Sequence, residues 1–388
     1  MATRAQTAMA ELLAAKEMVV VCGSGGTGKT TMAAALGARA AATVGGRVLV
    51  LTVDPARRLA TALGVGALGT TEVRVADEVF EAAGVAPHGE LWVAMLDTKA
   101  GWDELVRRHA PDAKLRDQVL ANPLYKNITS RFVHSHDYLA MERLQELHAS
   151  GRYDLVIIDT PPSRNALDLL DAPGRMKEFF GSRLLRWLTV PYRSRIFTVA
   201  SKPFYQVADR VLGSRFLQDI AEFFILFRAM EPGFVARAKE VERLLVDQRT
   251  TFVVVTTLEA APAHEAGYLA DELRRRKMPL GALVLNRTLP AAIRQPAANK
   301  AAGQLRDVAG DAKLRKQLAA MVGASAAEVG DVLDVVAERF FDTAVVAARE
   351  SERRRELSKV APIIAEAPTM RDDIHDVAGL LRLGEFLL

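Results

Sequence analysis

Short apolar runs rich in valine, isoleucine and leucine recur along the chain, and longer stretches with the helical period separate them. Because strands that alternate with helices form βαβ units, we predict an α/β fold with a mostly parallel sheet and helices on both of its faces. Ligands are then expected at the carboxyl ends of the strands. The predicted strands are Met18–Val21, Val48–Val53, Leu91–Leu96, Leu155–Ile158, Phe252–Thr256 and Leu283–Leu285.

Two long intervals interrupt this alternation. Residues 98–150 and 170–249 contain helical periodicity and no convincing strand, and sheet-forming runs resume after each interval. We therefore predict one domain over residues 1–388 with an inserted α-helical subdomain. Residues 297–388 are expected to form a C-terminal helical region that ends in a loop.

Composition narrows the classes of function. The 51 basic and 47 acidic residues among 388 give a net charge of +4, which is too balanced for a nucleic-acid-binding protein. No run approaches the ~20 apolar residues of a membrane span, and the amino terminus does not resemble a targeting signal, so we expect a cytoplasmic protein with at most peripheral membrane contact. A single cysteine, Cys22, excludes an internal disulfide and a cysteine-rich zinc site, so no zinc is expected.

A glycine-rich motif follows the first predicted strand and precedes a predicted helix, which is the setting of a P-loop. It consists of Gly23, Ser24, Gly25, Gly26, Thr27, Gly28, Lys29 and Thr30. The glycines allow backbone N–H groups to surround phosphates, and the helix start adds its positive dipole end. Lys29 is expected to reach the β- and γ-phosphates of ATP, and the Thr30 hydroxyl is expected to bind Mg²⁺.

Polar residues at the ends of three other predicted strands supply further candidates. Asp159 fits the Walker-B acid near the metal, although an acidic helix cap is an alternative. Asp54 can orient the attacking water or bind a metal-bound water, and a cap before Pro55 is compatible with both roles. Asn286 can read a base edge with its amide, and a turn-forming asparagine is the alternative.

Together these residues resemble the family of the arsenite-pump and tail-anchored-protein-targeting ATPases, a deviant-Walker group. The matching segments are 25–31 for the P-loop, which includes Thr31, 52–56 for switch I, 159–163 for switch II, Asn286–Arg287 for an adenine-contacting strand end and Pro368 for an adenine loop. The resemblance implies a nucleotide-gated dimer that uses ATP and Mg²⁺. It also implies that Asp54 positions the hydrolytic water.

Two departures limit what the resemblance carries over. Ser24 stands where the family has a signature lysine that reaches the partner subunit's nucleotide, and the metal-binding cysteines have no counterpart. We therefore expect one of three consequences: the isolated chain hydrolyses ATP slowly, another cation such as Arg57 or Arg164 takes the place of the lysine, or the chain forms a heterodimer with a related subunit. Metalloid transport and zinc-bridged dimerisation do not carry over.

The leading hypothesis is an ATP-hydrolysing switch that handles a protein client with a hydrophobic or membrane-protein segment. A nucleotide-binding regulatory or structural subunit is the second hypothesis, and a small-molecule P-loop enzyme is the third. Apolar residues between Phe216 and Met230 follow helical spacing, and a second apolar cluster lies between Phe179 and Leu188. Both belong to ordinary core or form a client groove that opens with nucleotide state.

Overall fold

The computed structural model describes most of the sheet and many of the helices. The described residues are 3–52, 60, 62–63, 65, 71–96, 98–122, 125, 135–160, 174, 178, 223 and 231–388. Its strands are β1 Met18–Cys22, β2 Gly46–Thr52, β3 Val73–Arg74, β4 Gly89–Met95, β5 Leu155–Asp159, β6 Thr250–Thr256, β7 Leu280–Thr288 and β8 Ile363–Pro368. Its helices are α1 Arg4–Ala14, α2 Lys29–Thr43, α3 Asp77–Ala82, α4 Thr98–His109, α5 Ala113–Ala121, α6 Ser135–Ala149, α7 Glu231–Val246, α8 Ala260–Arg275, α9 Pro296–Gly310, α10 Ala312–Val322, α11 Ala326–Leu357 and α12 Val377–Gly384.

The strands form one sheet in the order β3-β4-β2-β5-β1-β6-β7-β8. All neighbours pair in parallel except β3 and β4, which are antiparallel. The chain leaves β1 toward β2 on one side and later returns to β6 on the other, so β1 lies at the point where the strand order reverses. In open α/β sheets, ligands bind outside the carboxyl ends of the strands at such a point.

Each face of the sheet contributes to a separate hydrophobic core. Val19 and Val21 of β1 belong to the core that contains the alanine-rich helix α2, whereas Val20 and Cys22 belong to the core that contains residues of α4, α6, α7 and α8. This alternation follows from the two-residue period of a strand. Full burial of a valine or leucine contributes roughly 1.5–3 kcal/mol, so the two cores hold the carboxyl edge of the sheet rigidly in place.

The predicted α/β fold is correct, and all six predicted strands are present. The structure adds β3 and β8, which the sequence pattern did not predict. The apolar run of β8 is the short Ile363–Ala365, which Pro362 precedes and Glu366 ends, and only Ala365 and Ala367 of this edge strand are buried. β3 has two residues, both exposed.

The described parts of the predicted helical insertion are α4, α5 and α6 in the first interval and α7 in the second. The predicted C-terminal helical region contains α9, α10 and α11, and then β8 and α12. The single-domain assignment of residues 1–388 stays a prediction. Among the described residues, no helix combines the length and hydropathy needed to cross a membrane.

Candidate nucleotide-binding site

The loop between β1 and α2 depends on its glycines. Gly23, Gly26 and Gly28 have φ values of 147°, 78° and 89°, in a region that L side chains rarely adopt. A Cβ atom on Gly23 would lie 2.1 Å from the carbonyl oxygen of Val255 on the neighbouring strand β6. Glycine therefore allows the backbone conformation at all three positions, and at position 23 it also leaves room for β6.

The helix α2 begins with an open amino end. Its N-cap residue is Gly28, which has no side chain that could cap the first backbone N–H groups. The N–H groups of a first helical turn and the positive end of the helix dipole favour an anion at this position. With the loop that precedes it, the start of α2 fits a phosphate chain.

Lys29 folds back over the loop. Its side chain is buried, and Nζ donates a hydrogen bond to the Ser24 carbonyl oxygen at 2.9 Å. The Thr27 hydroxyl donates to the same oxygen at 2.9 Å. The Ser24 hydroxyl itself is buried and has no hydrogen-bond partner among the described residues. The loop thus places one ammonium group beside its backbone N–H groups, whereas position 24 carries a neutral hydroxyl.

Asp159 lies at the carboxyl end of β5 and is completely buried. Its Oδ2 atom accepts hydrogen bonds from the hydroxyls of Thr30 at 2.6 Å and Thr52 at 3.0 Å. β5 lies between β1 and β2 in the sheet, so three neighbouring strands or their loops converge on this carboxylate. A hydroxyl next to a carboxylate matches the hard oxygen ligands that Mg²⁺ prefers, so Thr30 and Asp159 fit a magnesium ion.

Thr52 begins the segment 52–56 that the resemblance matched to switch I, but the sequence analysis gave Thr52 itself no role. Its hydroxyl contacts Asp159, and its backbone oxygen accepts a hydrogen bond from Leu96 N at 3.0 Å. The available signal was a polar residue at the end of an otherwise apolar strand. The register that pairs Thr52 with Asp159 became visible only with the sheet order.

A cavity of about 350 Å³ opens beside this connection. Met95 and Leu96 at the end of β4 line it together with charged residues of α4 and α6. Within its lining, Arg143 of α6 bonds to Glu72 and Glu146, each at 2.7 Å. The cavity therefore lies between the strand that bonds to Thr52 and the described helices of the first interval.

The three predicted adenine contacts lie on neighbouring strands. Asn286 and Arg287 are near the end of β7, and Pro368 is the last residue of β8, where it pairs with Thr288. Asn286 is buried, and its Nδ2 atom donates to the Thr27 carbonyl oxygen at 2.8 Å. Contact of these residues with a base stays a prediction.

Cys22 immediately precedes the loop and is buried. Burial raises the pKa of its thiol to about 12, and the positive charge of Lys29 offsets only part of that rise. The thiolate is the reactive form of cysteine, so the thiol is chemically inert near neutral pH.

Several predicted residues lie outside the described part of the chain: Asp54, the alternative cations Arg57 and Arg164, and nearly all of the two apolar clusters. Phe223 is the described member of the cluster between Phe216 and Met230. It is buried and its ring lies 6.5 Å from that of Tyr125.

Comparison with known proteins identifies the family. The model of the family described as "Anion-transporting ATPase" matches residues 16–306. The chain belongs to the anion-transporting ATPase family. The family's description names an ATPase, and the matched region includes the glycine loop, Asp159 and Asn286.

Three relatives show the extent of the similarity. The chain is 29% identical to an uncharacterized protein of Streptomyces coelicolor over 275 residues, which are 70% of this chain and 62% of the relative. It is 23% identical over 189 residues to proteins of Chlorobaculum tepidum and Prosthecochloris vibrioformis that are provisionally named arsenical pump-driving ATPases. Those alignments cover 49% of this chain and 42% of each relative, so the chain matches less than half of their length.

Proposed function

We propose that this member of the anion-transporting ATPase family is a Mg²⁺-dependent, dimeric ATPase whose nucleotide state controls the handling of a protein client. The observation that carries the nucleotide part is the convergence of Thr30 and Thr52 on the buried carboxylate of Asp159 beside the glycine loop. Mg²⁺ held by Thr30 and Asp159 would neutralise phosphate charge. Lys29 and the first N–H groups of α2 would orient the phosphates.

Asp54 takes the water-positioning role in this proposal. It follows β2 by two residues, and Thr52 at the end of that strand contacts Asp159. The proposal assigns Asp54 the proton-accepting position for the attacking water.

Coupling to a client requires a path from the phosphates to the inserted helices. Thr52 bonds to Asp159 through its side chain and to Leu96 through its backbone. Leu96 lines a cavity that Glu142 and Arg143 of α6 also line. A change at the carboxylate therefore has a bonded route to Leu96, which shares a cavity with α6, and this arrangement supports the switch proposal.

An exposed apolar row supports a protein partner. Val332, Val335 and Val336 of α11 are between 46% and 61% exposed and lie next to each other on one face of that helix. Contiguous exposed apolar surface is typical of protein interaction sites. We propose a protein client or partner subunit for this family member on that basis.

Position 24 favours a second candidate function. A serine hydroxyl carries no charge, whereas the signature lysine that the resemblance places there would stabilise the partner's nucleotide. An arginine finger of this kind contributes roughly 10³-fold or more to the rate of phosphoryl transfer. The alternative is thus a regulatory subunit with weak hydrolysis, which needs a lysine-bearing relative for full activity.

Turnover and mass measurements test these proposals together. We expect Mg²⁺-dependent ATP turnover by the wild-type chain, loss of turnover in Asp54→Asn, and a dimer in ATP that this variant retains. If a dimer forms only with a lysine-bearing relative, the regulatory alternative replaces the homodimer. Capture of a client by the Asp54→Asn variant in ATP, and not in ADP, would support the switch. Equal capture in both nucleotides would contradict it.

A further inference from the structure

The amide of Asn286 bridges two backbone groups. Its Nδ2 atom donates to the Thr27 carbonyl oxygen at 2.8 Å, and its Oδ1 atom accepts from Arg287 N at 2.8 Å. One contact requires a donor and the other an acceptor, so rotating the amide by half a turn would place like groups against each other at both ends. The orientation of the side chain is therefore set by its surroundings.

This amide connects the end of β7 to the phosphate loop, although 259 positions of sequence separate Asn286 from Thr27. Thr27 in turn bonds through its hydroxyl to the Ser24 carbonyl oxygen, which also accepts from Lys29 Nζ. A Cβ atom on Gly28 would lie 2.5 Å from Nδ2 of Asn286, so the amide packs directly against the start of α2. Asn286 thus supports the loop at Thr27 and Gly28, the two residues that precede α2.

The backbone next to Asn286 is irregular. Arg287 has a φ of 55°, which is uncommon for a residue other than glycine. The pairing of β7 with β8 also shifts register between Leu285 and Thr288. Such local strain persists where surrounding contacts hold it, and here it lies directly beside the residue whose amide bonds to the phosphate loop.

We propose that Asn286 is a positioning residue that holds the glycine loop in its phosphate-binding shape through Thr27. This inference rests on the proposed nucleotide site, and it adds a positioning role to the base contact expected from the family resemblance. It predicts that Asn286 contributes to the affinity for any ligand with a polyphosphate, including one without a base.

Binding of Mg-ATP, Mg-GTP and Mg-tripolyphosphate to variants of the full chain tests this role. Asn286→Ala removes both bonds, and Asn286→Asp keeps the acceptor for Arg287 N but replaces the donor with an oxygen. We expect both variants to weaken the binding of all three ligands by about tenfold. KM for ATP should rise while kcat stays within about threefold.

Thr288→Val is the matched control. Thr288 is buried near the same strand end, and its hydroxyl contacts the Ala367 carbonyl oxygen rather than the loop. We expect this variant to bind all three ligands as the wild type does. Unchanged tripolyphosphate affinity in Asn286→Ala would overturn the proposal, and a changed ATP-to-GTP ratio beside it would make Asn286 a base reader alone.

A measurement without nucleotide separates this proposal from the proposed function. Amide hydrogen exchange of residues 24–28 should be about tenfold faster in Asn286→Ala and unchanged in Thr288→Val. Unchanged exchange in Asn286→Ala would overturn the positioning role whatever the chain binds. If wild-type protein binds none of the three ligands, the nucleotide function fails, and the exchange result still decides whether Asn286 holds the loop.

Discussion

The Thr30 hydroxyl donates a hydrogen bond of 2.6 Å to Oδ2 of Asp159, although 129 positions of sequence separate the two residues. Thr30 lies in the first turn of α2, and Asp159 is the last residue of β5. The parallel pairing of β1 and β5 brings these two points to the same edge of the sheet. The central contact of the proposed nucleotide site is therefore a direct product of the strand order.

Thr30→Val keeps the branched shape of the side chain and removes its hydroxyl. Under the proposed function, we expect ATP turnover to fall by roughly 100-fold, because the ion loses an oxygen ligand. Thr30→Ser retains the hydroxyl and loses only a methyl group. Its ATP turnover should therefore stay within about threefold of the wild-type value. Steady-state turnover across a Mg²⁺ titration compares them. Wild-type turnover by Thr30→Val would exclude a metal role for Thr30.

Thr52→Val should lower the free energy of unfolding by about 1.5–3 kcal/mol, because a buried carboxylate loses a hydrogen-bond donor. Thr256→Val is a matched control at the end of β6, where the hydroxyl donates to the neutral carbonyl oxygen of Thr257. That variant should lose about 0.5–1.5 kcal/mol. Urea unfolding measures both values. Equal losses would mean that the charge of Asp159 does not strengthen its bond with Thr52.

Gly23→Ala should destabilise the fold by about 3 kcal/mol or more, because the added methyl group meets the Val255 carbonyl oxygen at a strained φ. Gly25→Ala is the control within the same loop, because a Cβ atom there has no neighbour within 4 Å. We expect the unfolding free energy of Gly25→Ala to match the wild type. Thermal or urea denaturation distinguishes the two variants, and similar losses would contradict the observed loop conformation.

Sequence reasoning succeeded where a pattern was local. The apolar run of β1 and the glycine spacing after it predicted the loop. The position of Asp159 at the end of another apolar run predicted that it lies near that loop. The Thr52–Asp159 contact was not predictable, because β2 and β5 are neighbours in space and not in sequence. The contact between Asn286 and Thr27 depends on the same long-range order.

The thiol of Cys22 should be unreactive in the folded protein. Its pKa is raised from 9.0 to about 12, so an alkylating reagent at pH 8 should modify it only after unfolding. The folded state holds this proton more tightly, so stability from this group is complete below pH 9 and declines from pH 9 toward about 12. Cys22→Ala should show a smaller decline over that interval. Rapid alkylation of native protein would contradict this burial.

Mg²⁺-dependent ATP turnover by the isolated chain, compared with Lys29→Ala, tests the central claim most directly. Lys16→Ala is the matched control, since Lys16 bonds to the Gln248 carbonyl oxygen away from the loop. We predict measurable wild-type turnover, a loss of about 100-fold or more in Lys29→Ala, and wild-type turnover in Lys16→Ala. Wild-type turnover no faster than that of Lys29→Ala would contradict ATP hydrolysis at this loop.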